Sequence, residues 1–195
     1  MERQRIQSLV ETLQADKTGA AGCGDTPGDG DEPRFVWSPD PSTFDADVLA
    51  FLLNYWLCLP RRDDLPLASE FRYVDMAFAL GNLMVLEVVD EGWDCRYLYY
   101  GPEIVASTGE SMSGRRTSEL DPTNAVRPFL MAAYRAVVLR REPLFTLHPQ
   151  SSLFEATQQL ILPLSAEADG SVCQLLVGLV PGQRPTLEQD ERSVA

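Results

Sequence analysis

Histidine is the commonest general base near neutral pH, and this 195-residue chain contains one, His148. It opens the stretch His148-Pro149-Gln150-Ser151-Ser152, which reads as a loop between two strands. Any Ser/His/Asp or Cys/His arrangement would have to be built on that loop residue. No G-x-S-x-G, H-E-x-x-H or phosphate-cradling G-x-x-x-x-G-K-[ST] stretch is present. The four cysteines, Cys23, Cys58, Cys95 and Cys173, stand far apart. Zinc sites and redox pairs need closer spacing, so they read as reduced, mostly buried thiols. Asp63-Asp64, Asp90-Glu91-Asp94 and Glu188/Asp190/Glu191 are acidic groups, but none has the spacing of a calcium loop. The expectation is a protein that is not an enzyme, with no metal and no cofactor.

Three arginines remain of chemical interest. Arg96 stands between Cys95 and Tyr97 on an expected strand and needs either solvent or a partner. It could grip a ligand carboxylate bidentately or pair with a structural acid such as Glu119. Arg115-Arg116 could hold an anion or form a solvated turn. The whole chain carries −13 at neutral pH, with one lysine, Lys17. Such a surface repels phosphate backbones, which argues against nucleic-acid binding.

The elements that position these groups follow from pattern. Ile6, Leu9, Val10 and Leu13 make one apolar helical face over residues 1–15. A lone helix this short is marginal in water and needs a surface to lie on. Residues 16–43 are rich in Gly and Pro; over 16–47, eight acidic residues face Lys17 and Arg34, a local charge of −6. This composition predicts a mobile linker, with Phe35, Val36 and Trp37 as docking points. Thr43 is a candidate cap, with Asp45 and Asp47 in the first turn of a helix that Pro60 ends. Its wide apolar face, Val48, Leu49, Leu52, Leu53, Trp56 and Leu57, suits burial in its own core or against a second copy. The dimer reading assigns the interface to Ile6, Leu9, Leu13, Leu49, Leu52, Leu53 and Trp56.

Ser69 to Leu80 predicts a helix with Phe71, Val74 and Phe78 on one side. Leu83–Val89 and Cys95–Tyr100 predict a hairpin about Asp90-Glu91-Gly92, with Cys95, Tyr97 and Tyr99 sharing one face. Pro102 opens a short helix that Gly109 closes, and residues 110–124, with Asp121-Pro122, are turn-rich. A long helix with Pro128 in its opening turn carries Leu130, Tyr134, Val137 and Val138 as its stripe. Strands at Leu144–Leu147, Phe154–Leu164 and Val172–Val180 complete the chain before a polar tail, 183–195. Two strands, then helices, then three strands predict an α+β domain: a five-stranded antiparallel sheet with helices packed on one face and an N-terminal helical extension. No stretch approaches the 20 or so apolar residues of a membrane span, and the N-terminus lacks the apolar core of a signal peptide, so a cytoplasmic protein is expected.

Tyr55-Trp56-Leu57, Leu65-Pro66, Arg96-Tyr97 with Gly101, Gly114-Arg115, Glu119-Leu120, Tyr134-Arg135-Ala136-Val137-Val138 and Leu160-Ile161-Leu162-Pro163-Leu164-Ser165 follow one another in a familiar order. In this the chain resembles the bacterial PAS-like family PAS_5, mostly stand-alone proteins, over residues 44–182. The aspartate–proline turn usual in that family is absent between Glu70 and Asp75. The resemblance implies a sensory or signalling module that binds a small molecule or a protein partner, homodimerises, and passes its output to a separate signalling protein. It implies a ligand pocket between the sheet and the long helix, with Arg96, Tyr97, Tyr99, Tyr134, Val138, Phe145, Leu160 and Leu162 as candidate lining. The long helix lacks the histidine of haem-binding relatives. Asp94-Cys95-Arg96-Tyr97-Leu98 superficially matches the flavin-photoreceptor cysteine motif but lies on a strand instead of the helical segment. The alternative reading is a structural adaptor whose core is filled and takes no ligand.

Overall fold

A computed structural model of the chain describes residues 2–15, 34–121, 126–148 and 157–181. Cys23, residues 16–33 of the expected linker, residues 122–125 and 149–156, and the polar tail lie outside the described residues. The element order is α1 (Glu2–Ala15), β1 (Arg34–Trp37), α2 (Asp47–Cys58), β2 (Arg61–Arg62), β3 (Leu65–Pro66), β4 (Leu83–Val89) and β5 (Asp94–Tyr100). Then come α3 (Pro102–Thr108), α4 (Arg127–Arg140), β6 (Leu144–His148), β7 (Thr157–Ser165) and β8 (Val172–Pro181). Strands β4 to β8 form the expected five-stranded antiparallel sheet, and a sixth strand joins it, giving the order β1-β6-β7-β8-β4-β5.

The sixth strand corrects the linker expectation at its C-terminal end. Arg34–Trp37 pairs with β6 from Arg34↔Leu147 to Trp37↔Leu144, and Phe35 and Trp37 are buried. Trp37 Nε1 donates to the Leu13 carbonyl at 2.9 Å, tying β1 to the end of α1. The start of α2 also differs. Its N-cap is Ala46, while Asp40 caps a 3₁₀ turn at Pro41–Thr43 by accepting from Ser42 N. The expected helix at 69–80 is instead three 3₁₀ turns, Ala68–Glu70, Tyr73–Met76 and Leu80–Asn82. Signals at the other boundaries hold. Asp90, Glu91 and Gly92 take positive φ in the β4–β5 turn. Gly109 closes α3 at φ 85°, a left-handed conformation that favours glycine.

Cross-strand partners share a sheet face, which shows that helices cover both faces of this sheet and not one. Gly178 lies opposite Leu83 and Leu160, and a Cβ there would meet Leu52 and Leu49 of α2. On the adjacent position, Gln159 Nε2 donates to Tyr134 Oη of α4 at 3.2 Å. Thus α2 lies on one face and α4 on the other, with α1 packed along α4. Two-sided cover explains why Leu83, Met84, Val85 and Leu86 are all buried in succession. Pro163 sits in β7 past the last pairing with β6 at Ile161, so its missing N–H costs no bond on that side. Its carbonyl accepts from Trp56 Nε1 at 2.7 Å, anchoring α2 to the sheet.

Candidate functional site

The eight residues that the sequence marks as pocket-lining divide between the two sheet faces. Phe145 and Leu160 lie opposite each other, and Leu162, Leu176, Val85 and Tyr99 form a row across four strands. Both sets face α2. The β4–β5 register shifts between Val85 and Leu86, leaving Leu98 unpaired. That bulge resets the alternation and corrects the expectation that Tyr97 and Tyr99 share a face. Tyr97 instead shares its face with Tyr100, ring centroids 5.4 Å apart, on the side of Tyr134 and Val138. Arg96 is on the α2 side, 44% exposed, and pairs with Glu87 at 3.6 Å; Glu119 instead bonds Arg115 and the Arg116 N–H. No single cavity can be lined by all eight.

Buried side chains line the layer between the sheet and α4. Tyr97 and Tyr134 are buried, and burial is the first cause that raises both hydroxyls' pKa values, followed by neighbouring phenols for Tyr97 and by the Cys95 thiol for Tyr134. Burial likewise pushes the Cys95 thiol far up, which leaves it a poor nucleophile at neutral pH. Two polar atoms in this layer, Thr146 Oγ1 and Gln159 Oε1, are buried without a hydrogen-bond partner, and their residues are a cross-strand pair. The residues assigned to a dimer interface are also interior. Ile6, Leu13, Leu49, Leu52, Leu53 and Trp56 are buried in their own chain and Leu9 is packed partly against the same core. The α2 residues Leu49, Leu52, Leu53 and Trp56 are therefore buried within one protomer, while Leu57 of the same helix is exposed. Cys58 is exposed, against expectation, and Cys173 half-buried.

Two surface features remain. The first is a cleft of about 200 Å³ lined by the α1 residues Glu2, Arg3 and Ile6, the β4–β5 turn residues Asp90, Trp93 and Asp94, and by Ser118, Arg127 and Met131. Arg127, the first residue of α4, is 7% exposed; its Nη2 lies 3.1 Å from Glu2 Oε1, and its Nε is buried without a partner. The guanidinium carbons of Arg3 and Arg135 lie 4.9 and 3.7 Å from the Trp93 ring centroid. Asp94 accepts at Oδ1 from Cys95 N, Thr117 Oγ1 and Ser118 N, and at Oδ2 from Ser118 Oγ. Burial pushes its carboxyl up, but these hydrogen bonds together outweigh burial and hold it below its usual range. Arg127 is absent from the sequence reading, although a signal existed: a cation in the first turn of a helix opposes the helix dipole.

The second feature lies on the α2 side. Aromatic rings run in edge contact from Phe78 to Phe51 and, one helical turn along α2, from Tyr55 through Phe71 and Tyr73 to Tyr99. Val74 and Phe78 are 69% and 64% exposed, and Tyr73 and Leu98 are also exposed. Among the described residues, no group of three or more His, Cys, Asp or Glu side chains could hold a metal ion. Nor is any helix long and apolar enough to cross a membrane.

Comparison with known protein families finds no match, and comparison with curated proteins finds none. Among solved structures, the chain is similar to an RNA-binding light-oxygen-voltage receptor, at 15% identity and a TM-score of 0.44. The similarity covers 80% of this chain and 39% of that one.

Proposed function

We propose that this chain is a PAS-like sensory or signalling module of the PAS_5 type, that it works in the cytoplasm by binding and not by catalysis, and that it homodimerises through the aromatic patch on its α2 side. The observation that carries this reading is the exposed set Tyr73, Val74 and Phe78, with Tyr73 in the ring series from Tyr55 to Tyr99 and Phe78 against Phe51. Contiguous apolar surface of this kind marks protein contact sites, and aromatic residues are enriched there. A second copy suits the local charge. The chain as a whole is strongly acidic, yet residues 68–82 carry only Glu70, Arg72 and Asp75, and Arg96 and Glu87 on the same sheet face as Tyr99 pair with each other. Self-association about a two-fold axis can therefore set Arg72 of each copy against an acid of the other without general repulsion. Signal output would be a shift between free and paired populations, read by a separate signalling protein.

The reading of a structural adaptor with a filled core draws support from the packing of Tyr97 and Tyr134, and it shares the same docking surface. Native mass spectrometry across a concentration series tests the proposal. The expected result is a dimer that becomes monomeric in both Val74→Asp and Phe78→Asp, with circular dichroism unchanged. A wild-type monomer, or a dimer indifferent to both substitutions, overturns it. A heterologous complex in place of the dimer would also overturn the self-association.

A further inference from the structure

We propose that the cleft between the first turns of α1 and α4 binds a small zwitterion, a free α-amino acid, with Arg127 as the receptor for its carboxylate. This deepens the sensory reading and rests on it only for the meaning of the signal.

Arg127 is the starting point. A guanidinium carries five N–H donors and stays charged in proteins. Here it is more than nine-tenths buried, at the helix end where the backbone dipole disfavours a cation. Its Nε has no hydrogen-bond partner. A buried cation in that position needs an anion, and the chain supplies one from its own end: Glu2 Oε1 at 3.1 Å. Glu2 thus shows which chemistry Arg127 accepts. It is also a displaceable partner, because its side chain is half exposed and returns to water at little cost.

The remaining lining favours a molecule with a positive group as well. Asp90 lines the cleft, its side chain is largely exposed, and its carboxylate pairs with Arg116 at 3.5 Å. Asp94 is already held by four hydrogen bonds, so Asp90 is the carboxylate left to take an ammonium. Ile6, Met131 and the Trp93 ring give the cleft apolar wall, and its volume of about 200 Å³ matches a small to medium amino acid. Long-range charge points the same way. A simple anion must approach a chain of −13, whereas a zwitterion carries no net charge and meets no such barrier. On binding, the ligand carboxylate replaces Glu2, and the first turn of α1 loses its tie to α4. The rest of α1 stays seated through Ile6, Val10, Leu13 and the Trp37 bond.

The test uses the full chain, ¹⁵N-labelled, with the Trp93 indole N–H as reporter, identified by its loss in Trp93→Phe. Glycine, L-serine and L-leucine are titrated, with acetate and ethylamine as probes bearing one charge each. The expected result is a saturable shift with at least one amino acid, and binding roughly tenfold or more weaker for both single-charge probes. Glu2→Gln removes the internal competitor and should tighten amino-acid binding several-fold, while Arg127→Gln should abolish it. Arg127→Gln alters a buried group, so Glu2→Gln, at a half-exposed residue, decides the matter independently of folding. No saturable shift up to about 10 mM in both wild type and Glu2→Gln, or acetate binding as well as the amino acids, overturns the proposal. The oligomeric state of the same samples is read separately, so failure here is distinct from failure of the dimer.

Discussion

Replacing Gly178 by alanine probes the contact that makes the sheet two-sided. A Cβ at that position would stand 2.6 Å from Leu52 Cδ1 and 2.7 Å from Leu49 Cδ2, both well inside van der Waals contact. Leu49 and Leu52 are fully buried, so their methyl groups have little room to retreat. Forcing one methyl into a packed core costs about 1–3 kcal/mol. Loss of glycine freedom in the unfolded chain returns about 0.4–1 kcal/mol. The net expectation is about 1–2 kcal/mol of destabilisation in urea unfolding, or about 2–8 °C in Tm for a chain of this size. Leu52→Ala alone should cost about 2–5 kcal/mol through the cavity it leaves. In Gly178→Ala/Leu52→Ala, the new methyl enters that cavity, so the double variant should be more stable than the sum by about 1 kcal/mol or more. The same cycle between Gly178→Ala and Tyr134→Phe should be additive, since Tyr134 lies across the sheet. Additivity with Leu52, or coupling with Tyr134, would refute the assignment of α2 and α4 to opposite faces.

Asp94→Ala strips the acceptor from two backbone N–H groups and two hydroxyls and should cost about 3 kcal/mol in chemical denaturation. Because the folded Asp94 carboxyl is held low, its contribution is complete above the unfolded value of about 3.9 and fades as pH falls through the lower folded value. The gap between wild type and Asp94→Asn should accordingly narrow below about pH 4; a constant gap would refute the clamp. Thr146→Val replaces a buried, unpartnered hydroxyl and should be neutral or stabilising by up to about 1 kcal/mol; a clear loss in Tm would reveal an interior guest bonded to it. Arg96→Ala should change stability by less than about 0.5 kcal/mol, since its ion pair with Glu87 is exposed. In the native state iodoacetamide should label Cys58 and spare Cys95, as peptide mapping would show; rapid labelling of Cys95 would contradict its burial.

Local chemistry made much of this fold readable. Pro102 and Gly109 bracket α3, the Asp90–Gly92 turn sets the hairpin, and the stripe of Ile6, Val10 and Leu13 is the face that α1 buries. What escaped the sequence depended on partners. The strand Arg34–Trp37 is four residues long and surrounded by Gly and Pro, so only pairing with β6 defines it. The bulge at Leu98 carries no glycine to announce it. Alternation can tell that a strand has two faces but not which helix covers each, and so the expected pocket was assembled from residues on opposite sides. Arg127 and Glu2 are far apart in sequence, and their pairing is visible only once α1 lies along α4.

The indole bond from Trp37 to the Leu13 carbonyl has a consequence for covalent continuity. It fixes the end of α1 and the start of the sheet beside one another, so the connection through residues 16–33 joins two points already held in place. Closing such a connection grows more costly by only about 0.6 kcal/mol for each doubling of its length. Insertions there should be tolerated far better than an equal insertion at the β4–β5 turn, where Asp90, Glu91 and Gly92 all adopt positive φ. A single cut within 16–33 would leave α1 as a separable peptide, held by its apolar stripe, its Glu2–Arg127 pair and that one indole bond. The first helix is thus positioned to be exchanged between chains, and a tagged copy of residues 1–15 supplied in trans would report how firmly the domain retains its own.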